Sequence, residues 1–312
     1  MKQLAWCALL CLMQSVSWAG CLTGSLLPTG WRHDPHAGQA AIPAGQVVLG
    51  TDNGYADERP GSPQQVASFW IDRTEVTNAQ FSAFVRATGY VTDAERRGGA
   101  AVFHIPSERE LNSRAVAWWR VVKGADWRHP EGPGSTIAHR ERYPVVLVTQ
   151  ADALAYARWL GRDLPTEAEW EYAAKAGKQG PQLDAAPRDA QGHPAANYWQ
   201  GSFPVLDLAE DGHAGLAPVG CYAPNAFGLY DVIGNAWEWT RDVYSGPHQS
   251  HANGDPSVLR SPPVATQPRV VIKGGSYLCS PDYCVRYRAA ARESQEPDMP
   301  TSHVGFRTVS RP

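Results

Sequence analysis

The chain has no run of lysine and arginine. Its 28 basic and 31 acidic residues leave a net charge of -3. That balance gives no electrostatic footprint for nucleic acid or for an anionic membrane surface. Beyond its N-terminus there is no apolar stretch long enough to span a bilayer as a helix. No repeat recurs at a fixed period and no low-complexity block interrupts the chain. Cysteine is scarce, with six residues, and only Cys279 and Cys284 form a close pair outside the N-terminal apolar run. The lack of a second pair excludes a four-cysteine zinc knuckle. The alternating acidic ligands of an EF-hand loop are also missing.

What the sequence does have is punctuation. Its 29 glycines and 25 prolines spread over 312 residues imply much loop and turn. Twelve tryptophans and twelve tyrosines must help stabilise what regular structure does not. The length suffices for one large or two smaller domains. The first 19 residues read as a secretory signal: Lys2, an apolar run from Leu4 to Met13, and a small-x-small cleavage site at Ser17-Trp18-Ala19. Cys7 and Cys11 leave with it. The expected location is therefore exported, periplasmic or secreted. Ala19-Gly20 before Cys21 also resembles a lipoprotein processing site, with Trp18 where an aliphatic residue is preferred, so membrane attachment is expected only through a lipid on Cys21. Residues 20–45, rich in Gly, Pro and Ala, read as a linker, and 46–312 as the folded domain.

Three helices are announced by caps. Thr77 and Gln80 form a capping box ahead of Phe81, Phe84, Val85 and Thr88, with Gly89 as the stop. Thr149 and Asp152 open a second helix carrying Leu154, Ala157 and Leu160 inward, stopped at Gly161. Thr166 and Glu169 open a third, with Trp170, Ala173 and Ala174 apolar and Gly177 at its end. Strands are expected at 47–49, 69–71, 270–272, 285–289 and 304–309. So few elements for this length imply an irregular, loop-rich α+β fold.

Two kinds of site stand out. Cys279 and Cys284 lie five positions apart, on opposite faces of any straight strand. Their sulfurs meet only if the chain bends between them, and Pro281-Asp282 supplies turn chemistry there. Such a pair suits either a disulfide or a soft monovalent metal such as Cu(I). Asn197-Tyr198 with Glu210-Asp211-Gly212-His213, and Asp231-Val232-Ile233-Gly234-Asn235-Ala236-Trp237-Glu238, are oxygen-rich turns of the kind calcium uses, although such clusters are also common as solvated turns.

The motifs Phe69-Trp70-Ile71-Asp72-Arg73-Thr74-Glu75-Val76-Thr77-Asn78, Trp118-Trp119, Lys123-Gly124-Ala125-Asp126-Trp127-Arg128-His129-Pro130-Glu131-Gly132, Leu164-Pro165-Thr166-Glu167-Ala168-Glu169-Trp170-Glu171, Gly234-Asn235-Ala236-Trp237-Glu238-Trp239-Thr240, Gly274-Gly275-Ser276-Tyr277-Leu278-Cys279-Ser280-Pro281-Asp282-Tyr283-Cys284-Val285-Arg286-Tyr287-Arg288 and Gly305-Phe306-Arg307 together resemble the formylglycine-generating enzymes, the sulfatase-modifying factors. The likeness runs from about Val48 to Arg307. The Leu-Pro-Thr-Glu-Ala-Glu-Trp-Glu and Gly-Asn-x-Trp-Glu-Trp segments mark the wider superfamily; the two-cysteine run is specific to its cysteine-oxidising branch. The resemblance implies a core similar to that of C-type lectins. It implies that Cys279 and Cys284 bind Cu(I), that Ser276 and Tyr283 lie in the active-site shell, and that Trp237 walls an oxygen pocket while also serving as a core aromatic. The implied reaction is oxidation by O2 of a cysteine in a Cys-x-Pro-x-Arg segment of an unfolded sulfatase, with the substrate thiolate as a further copper ligand. The implied product is formylglycine, with release of sulfide. The resemblance further implies two Ca2+ ions, one at Asn197, Tyr198, Asp211 and His213, the other at Asp231, Gly234, Ala236 and Glu238. A monomer is expected.

Some positions depart from the family. Ala289 and Thr308 stand where vertebrate members carry disulfide cysteines, and His303 where a substrate-contacting Asn is typical. Cys221 has no partner evident in the sequence and is expected as a buried small apolar residue. Two other readings are weighed: a binding module of the same fold with Cys279 and Cys284 as a plain disulfide, and an iron-dependent sulfoxide synthase. The second needs a histidine triad that this chain lacks. The chain is also not itself a sulfatase, since Cys279-Ser280-Pro281-Asp282 continues with Tyr283 rather than Arg.

Overall fold

The computed structural model describes residues 21–112, 118–180, 183–245 and 268–312. The segment 1–19, expected as a secretory signal, lies outside the described residues. The strands are β1 (Gln39–Ile42), β2 (Gly45–Val48), β3 (Pro63–Val66), β4 (Phe69–Asp72), β5 (Gly99–Phe103), β6 (Trp119–Lys123), β7 (Gly201–Ser202), β8 (Leu206–Asp207), β9 (Trp237–Val243), β10 (Val270–Lys273), β11 (Arg292–Gln295), β12 (Val304–Gly305) and β13 (Val309–Ser310). The helices are α1 (Asn78–Thr88), α2 (Asp93–Arg97), α3 (Glu108–Leu111), α4 (Gln150–Trp159) and α5 (Glu167–Lys175).

The three expected capping boxes form. In α1 the Thr77 amide donates to Gln80 Oε1 at 2.8 Å, and the Gln80 amide donates to Thr77 Oγ1 at 3.3 Å. Gly89 ends the helix at φ 67°, a left-handed conformation that glycine adopts without Cβ strain. The C-caps of α4 and α5 fall on Leu160 and Ala176, one residue before the glycines expected as stops. Two short helices not foreseen, α2 and α3, use the same box with Thr92 and Ser107. Among the described residues no helix is long and apolar enough to cross a membrane.

Two sheets organise the body. The first runs β1-β4-β13, antiparallel throughout. The second runs β11-β10-β9-β12, in which only β12 is parallel to β9. Three hairpins, β2-β3, β5-β6 and β7-β8, stand apart from both sheets. The main core gathers Phe81, Phe84, Trp127, Tyr156, Trp237, Trp239 and Phe306, and it extends to Cys279 and Cys284. A second core gathers Ile42, Phe69 and Ile71 of β1 and β4 with Trp170 of α5, a helix that itself lies against β2, β3, β9 and β10.

Three expectations are corrected. Residues 20–45 are not a free linker. Ala40 and Ile42 are buried, β1 pairs along β4, and Trp31 packs against Trp159. The composition hid this because the strand is four residues long and set among turns. Residues 285–289 form no strand: alternating apolar and basic residues resemble a strand pattern, but the guanidinium groups of Arg286 and Arg288 turn into buried carboxylates instead of solvent. Cys221 is not an unpartnered apolar residue; its sulfur is bonded to that of Cys21, 200 positions away. A disulfide between such distant positions has no local sequence signature.

Candidate active site

The cysteine loop begins where β10 ends. The chain leaves Lys273 through Gly274 and Gly275, at φ 95° and 81°. Both conformations favour glycine, and the space does too: a Cβ on Gly275 would strike the Arg286 carbonyl. The Ser276 carbonyl then accepts from the Cys279 amide at 2.9 Å. The expected Pro-Asp turn follows, with Ser280 Oγ donating to Asp282 Oδ1 at 2.6 Å and the Tyr283 amide donating to the Ser280 carbonyl at 3.4 Å. The bend returns Cys284 to Cys279. Their sulfurs lie 3.3 Å apart, no disulfide joins them, and the residues are 2% and 6% exposed.

Charge and burial compete at these thiols. Burial raises the Cys279 pKa, but the Cys284 sulfur, the Ser276 amide and the Arg286 charge together bring it below the ordinary value. Arg286 is itself fully buried. It meets Asp57 at 3.2 Å, Glu58 and Glu293 at 3.6 Å, and the Tyr55 ring at 4.3 Å. Arg288 pairs with Glu58. This cluster ties the loop after Cys284 to a 3-10 turn at Ala56–Glu58.

Aromatic rings form the outer wall. Tyr283 stacks on Phe203 at 4.3 Å and meets Trp118 edge-on at 5.6 Å. Phe203 also contacts Phe103 and Trp199, and the Trp199 amide donates to the Cys279 carbonyl at 2.9 Å. Phe103 and Trp199 line a cavity of about 780 Å³ that also reaches His104, Ile105 and His213. Trp237 is buried in the core that includes both cysteines, and its amide binds the His303 carbonyl at 2.8 Å. His303 meets the Trp119 ring at a tilt, centroids 4.6 Å apart; burial lowers its pKa to about 3, so its ring is neutral. The structure thus brings Ser276, Tyr283 and both cysteines together, with Trp237 in the same core. The sequence reading missed Tyr55, Phe203 and the Asp57-Glu58-Glu293 cluster, because nothing local links them to residues 276–288.

Two soft sulfurs, with no other cysteine beside them, fit Cu(I). The two oxygen-rich turns fit a cation only in part. In the first, Asp211 is buried and accepts from the amides of Tyr198 and His213 and from Gln200 Nε2. No ion pair engages it among the described residues, and burial raises its pKa to about 6. Gln200 Nε2 donates to the Tyr198 carbonyl as well, so this amide bridges two of the expected ligands. Asn197 lies alongside, donating to Asn235 Oδ1 at 3.0 Å.

In the second turn, Asp231 and Asn235 are left-handed at φ 53° and 56°, and Gly234 lies so close to the Asn197 carbonyl that no Cβ fits. The Glu238 carboxylate, expected as a calcium ligand, is engaged in an ion pair: Arg307 donates to both its oxygens at 2.7 Å and Trp170 Nε1 donates to it at 2.7 Å. Glu75, which the sequence reading did not single out, accepts from the Ala236 amide at 3.2 Å and from Asn235 Nδ2 at 3.3 Å. Burial, then the charges of Asp231 and Glu238, raise it well above the usual range. Burial likewise raises Asp231 to about 6. Three buried carboxylates share the single guanidinium of Arg307, an excess of negative charge that a bound cation would offset.

Residues 28–312 match the family model described as the sulfatase-modifying factor enzyme 1-like domain. The formylglycine-generating enzyme of Streptomyces coelicolor is 47% identical over 283 residues, covering 88% of this chain and 89% of that protein. The formylglycine-generating enzyme of Bos taurus is 43% identical over 291 residues, covering 90% and 76%. The chain belongs to the sulfatase-modifying factor family. As a member of the formylglycine-generating enzymes within it, the chain is an enzyme that oxidises cysteine to formylglycine. The solved structure of PvdO from Pseudomonas aeruginosa has a TM-score of 0.56 at 25% identity, covering 87% of this chain and 93% of that one. The fold is that of the family, loop-rich and mixed α and β.

Proposed function

We propose that this enzyme acts with Cu(I) and dioxygen on the cysteine of Cys-x-Pro-x-Arg segments in unfolded sulfatases, and that it does so outside the cytoplasm. One observation carries the reading: Cys21 and Cys221 are bonded to each other, whereas Cys279 and Cys284 lie 3.3 Å apart with no disulfide between them. A purely structural pair would be expected to be joined like the first.

Cys279 and Cys284 hold the copper, which when bound supplies one-electron chemistry with dioxygen that side chains lack. The residues around it position and shield. The Ser276 amide and the Arg286 charge favour the thiolate form that a metal requires. Tyr283, Phe203 and Trp118 present rings to an extended peptide, and Trp237 closes the inner side of the pocket. Calcium acts at a distance from the chemistry, at Asn197, Tyr198, Asp211 and His213 and at Asp231, Gly234 and Ala236, with Glu75 beside the second place. The Cys21–Cys221 bond supports an oxidising, extracytoplasmic setting.

The test is direct. Copper-loaded protein is mixed in air with a Cys-x-Pro-x-Arg peptide, and a hydrazide-reactive aldehyde is expected. A peptide that keeps its thiol while copper stays bound to Cys279 and Cys284 overturns the reading.

A further inference from the structure

Among the described residues, only one group of three metal-binding atoms converges on a point. The sulfurs of Cys21 and Cys221 and a ring nitrogen of His213 lie within 4.8 Å of one another. They come from two segments: Cys21 from the chain ahead of β1, and His213 and Cys221 from the long loop between β8 and β9. We propose that, once the Cys21–Cys221 bond is reduced, these three residues form a second soft-metal site that takes one Cu(I).

The frame around them does not depend on the sulfur-sulfur bond. The Leu22 amide donates to the Gly220 carbonyl at 3.1 Å, which holds the Cys21 segment beside Cys221. The His213 amide donates to Asp211 Oδ1 at 2.9 Å, and Tyr222, next to Cys221, donates its hydroxyl to the Asp211 carbonyl at 3.4 Å. The Tyr222 ring also meets the His213 ring edge-on at 6.5 Å. Gly220 is fixed from the other side, its amide donating a hydrogen bond to Asp231 Oδ2 at 2.6 Å. Breaking the disulfide therefore frees two sulfurs without dispersing the ligands.

The chemistry balances simply. A dithiol reductant delivers two electrons to the S–S bond. The bond breaks, each sulfur takes a proton, and the reductant becomes a disulfide. Metal binding then releases the two thiol protons as both sulfurs ligate. Two thiolates and one imidazole satisfy Cu(I), whereas a structural zinc site requires a fourth protein ligand. His213 lines the 780 Å³ cavity, which gives an ion a route in from solvent.

The test uses the full chain carrying Cys279→Ala and Cys284→Ala, so its outcome is independent of the active-site reading. Cu(I) is titrated anaerobically against a competing chelator, before and after reduction by a dithiol. One Cu(I) per chain is expected after reduction and none before. Cys221→Ser should abolish uptake. His213→Ala, whose fold is verified first in the oxidised state, should weaken uptake at least tenfold and remove the nitrogen contribution from the copper X-ray absorption spectrum. The proposal is overturned if the reduced chain takes up no copper, whether folded or not, if His213→Ala binds as tightly as its parent, or if equimolar zinc displaces the Cu(I).

Discussion

Cys279 and Cys284 show how a single turn converts a spacing into a site. Five positions apart, they meet because Pro281 and Asp282 reverse the chain and Gly274 and Gly275 admit it close to Arg286. Replacing either sulfur by the hard oxygen of serine removes one of only two protein ligands. Cys279→Ser and Cys284→Ser are each expected to reduce aldehyde formation to background in a peptide assay, with melting temperature nearly unchanged because the sulfurs are not bonded. Retained turnover in either variant would contradict the copper reading. At Glu238 the expectation runs the other way. Glu238→Gln removes the charge that pairs with buried Arg307 and should cost about 3–5 kcal/mol. Denaturant unfolding should show the same loss with and without calcium. A loss seen only with calcium would restore Glu238 as a ligand.

At the scale of elements, the capping boxes of α1, α4 and α5 were legible because the whole device lies within four consecutive residues. Thr166→Ala should lower stability by about 1 kcal/mol, read as a shift of about 2–4 °C in Tm. The segment 285–289 was misread for the complementary reason. Its burial partners, Asp57, Glu58 and Glu293, come from a distant turn and from β11, so residues of a strand-like pattern are held by ion pairs and not by a ladder. β1 was missed likewise, since its ladder partner is β4 and not a neighbouring segment.

At the scale of the molecule, two long-range features govern stability. The Cys21–Cys221 bond closes a loop of about 200 residues. In the chain-entropy picture its loss costs on the order of 4–5 kcal/mol, so Cys221→Ser should shift the denaturant midpoint accordingly. The buried carboxylates set a pH dependence in the calcium-free chain. The Asp231 carboxyl, with an ordinary value of 3.8, is pushed up to about 6 by burial. A raised carboxyl contributes its stability below pH 4 and loses it as pH rises through 6, on the order of 2–3 kcal/mol for this group. Without calcium, Tm should therefore fall between pH 4 and pH 7. Calcium should recover it above pH 6 better than magnesium does, because the irregular turn suits calcium coordination. A melting curve at neutral pH that ignores both chelator and added calcium would count against bound calcium.

The sequence by itself determined the pieces whose physics is local: the capped helices, the Pro-Asp turn between the thiols, the loop-rich α+β character and the motifs of the family. It also placed Ser276 and Tyr283 beside the cysteines, since all four lie within nine residues. Only the tertiary structure decided which cysteines are bonded, that Glu238 pairs with Arg307 while Glu75 attends the Asn235 turn, and that Phe203 and Trp118 pack on Tyr283. Those outcomes depend on pairing groups up to 200 positions apart. A buried charge or sulfur takes whichever partner folding brings within about 4 Å, and no local pattern along the chain encodes that distance.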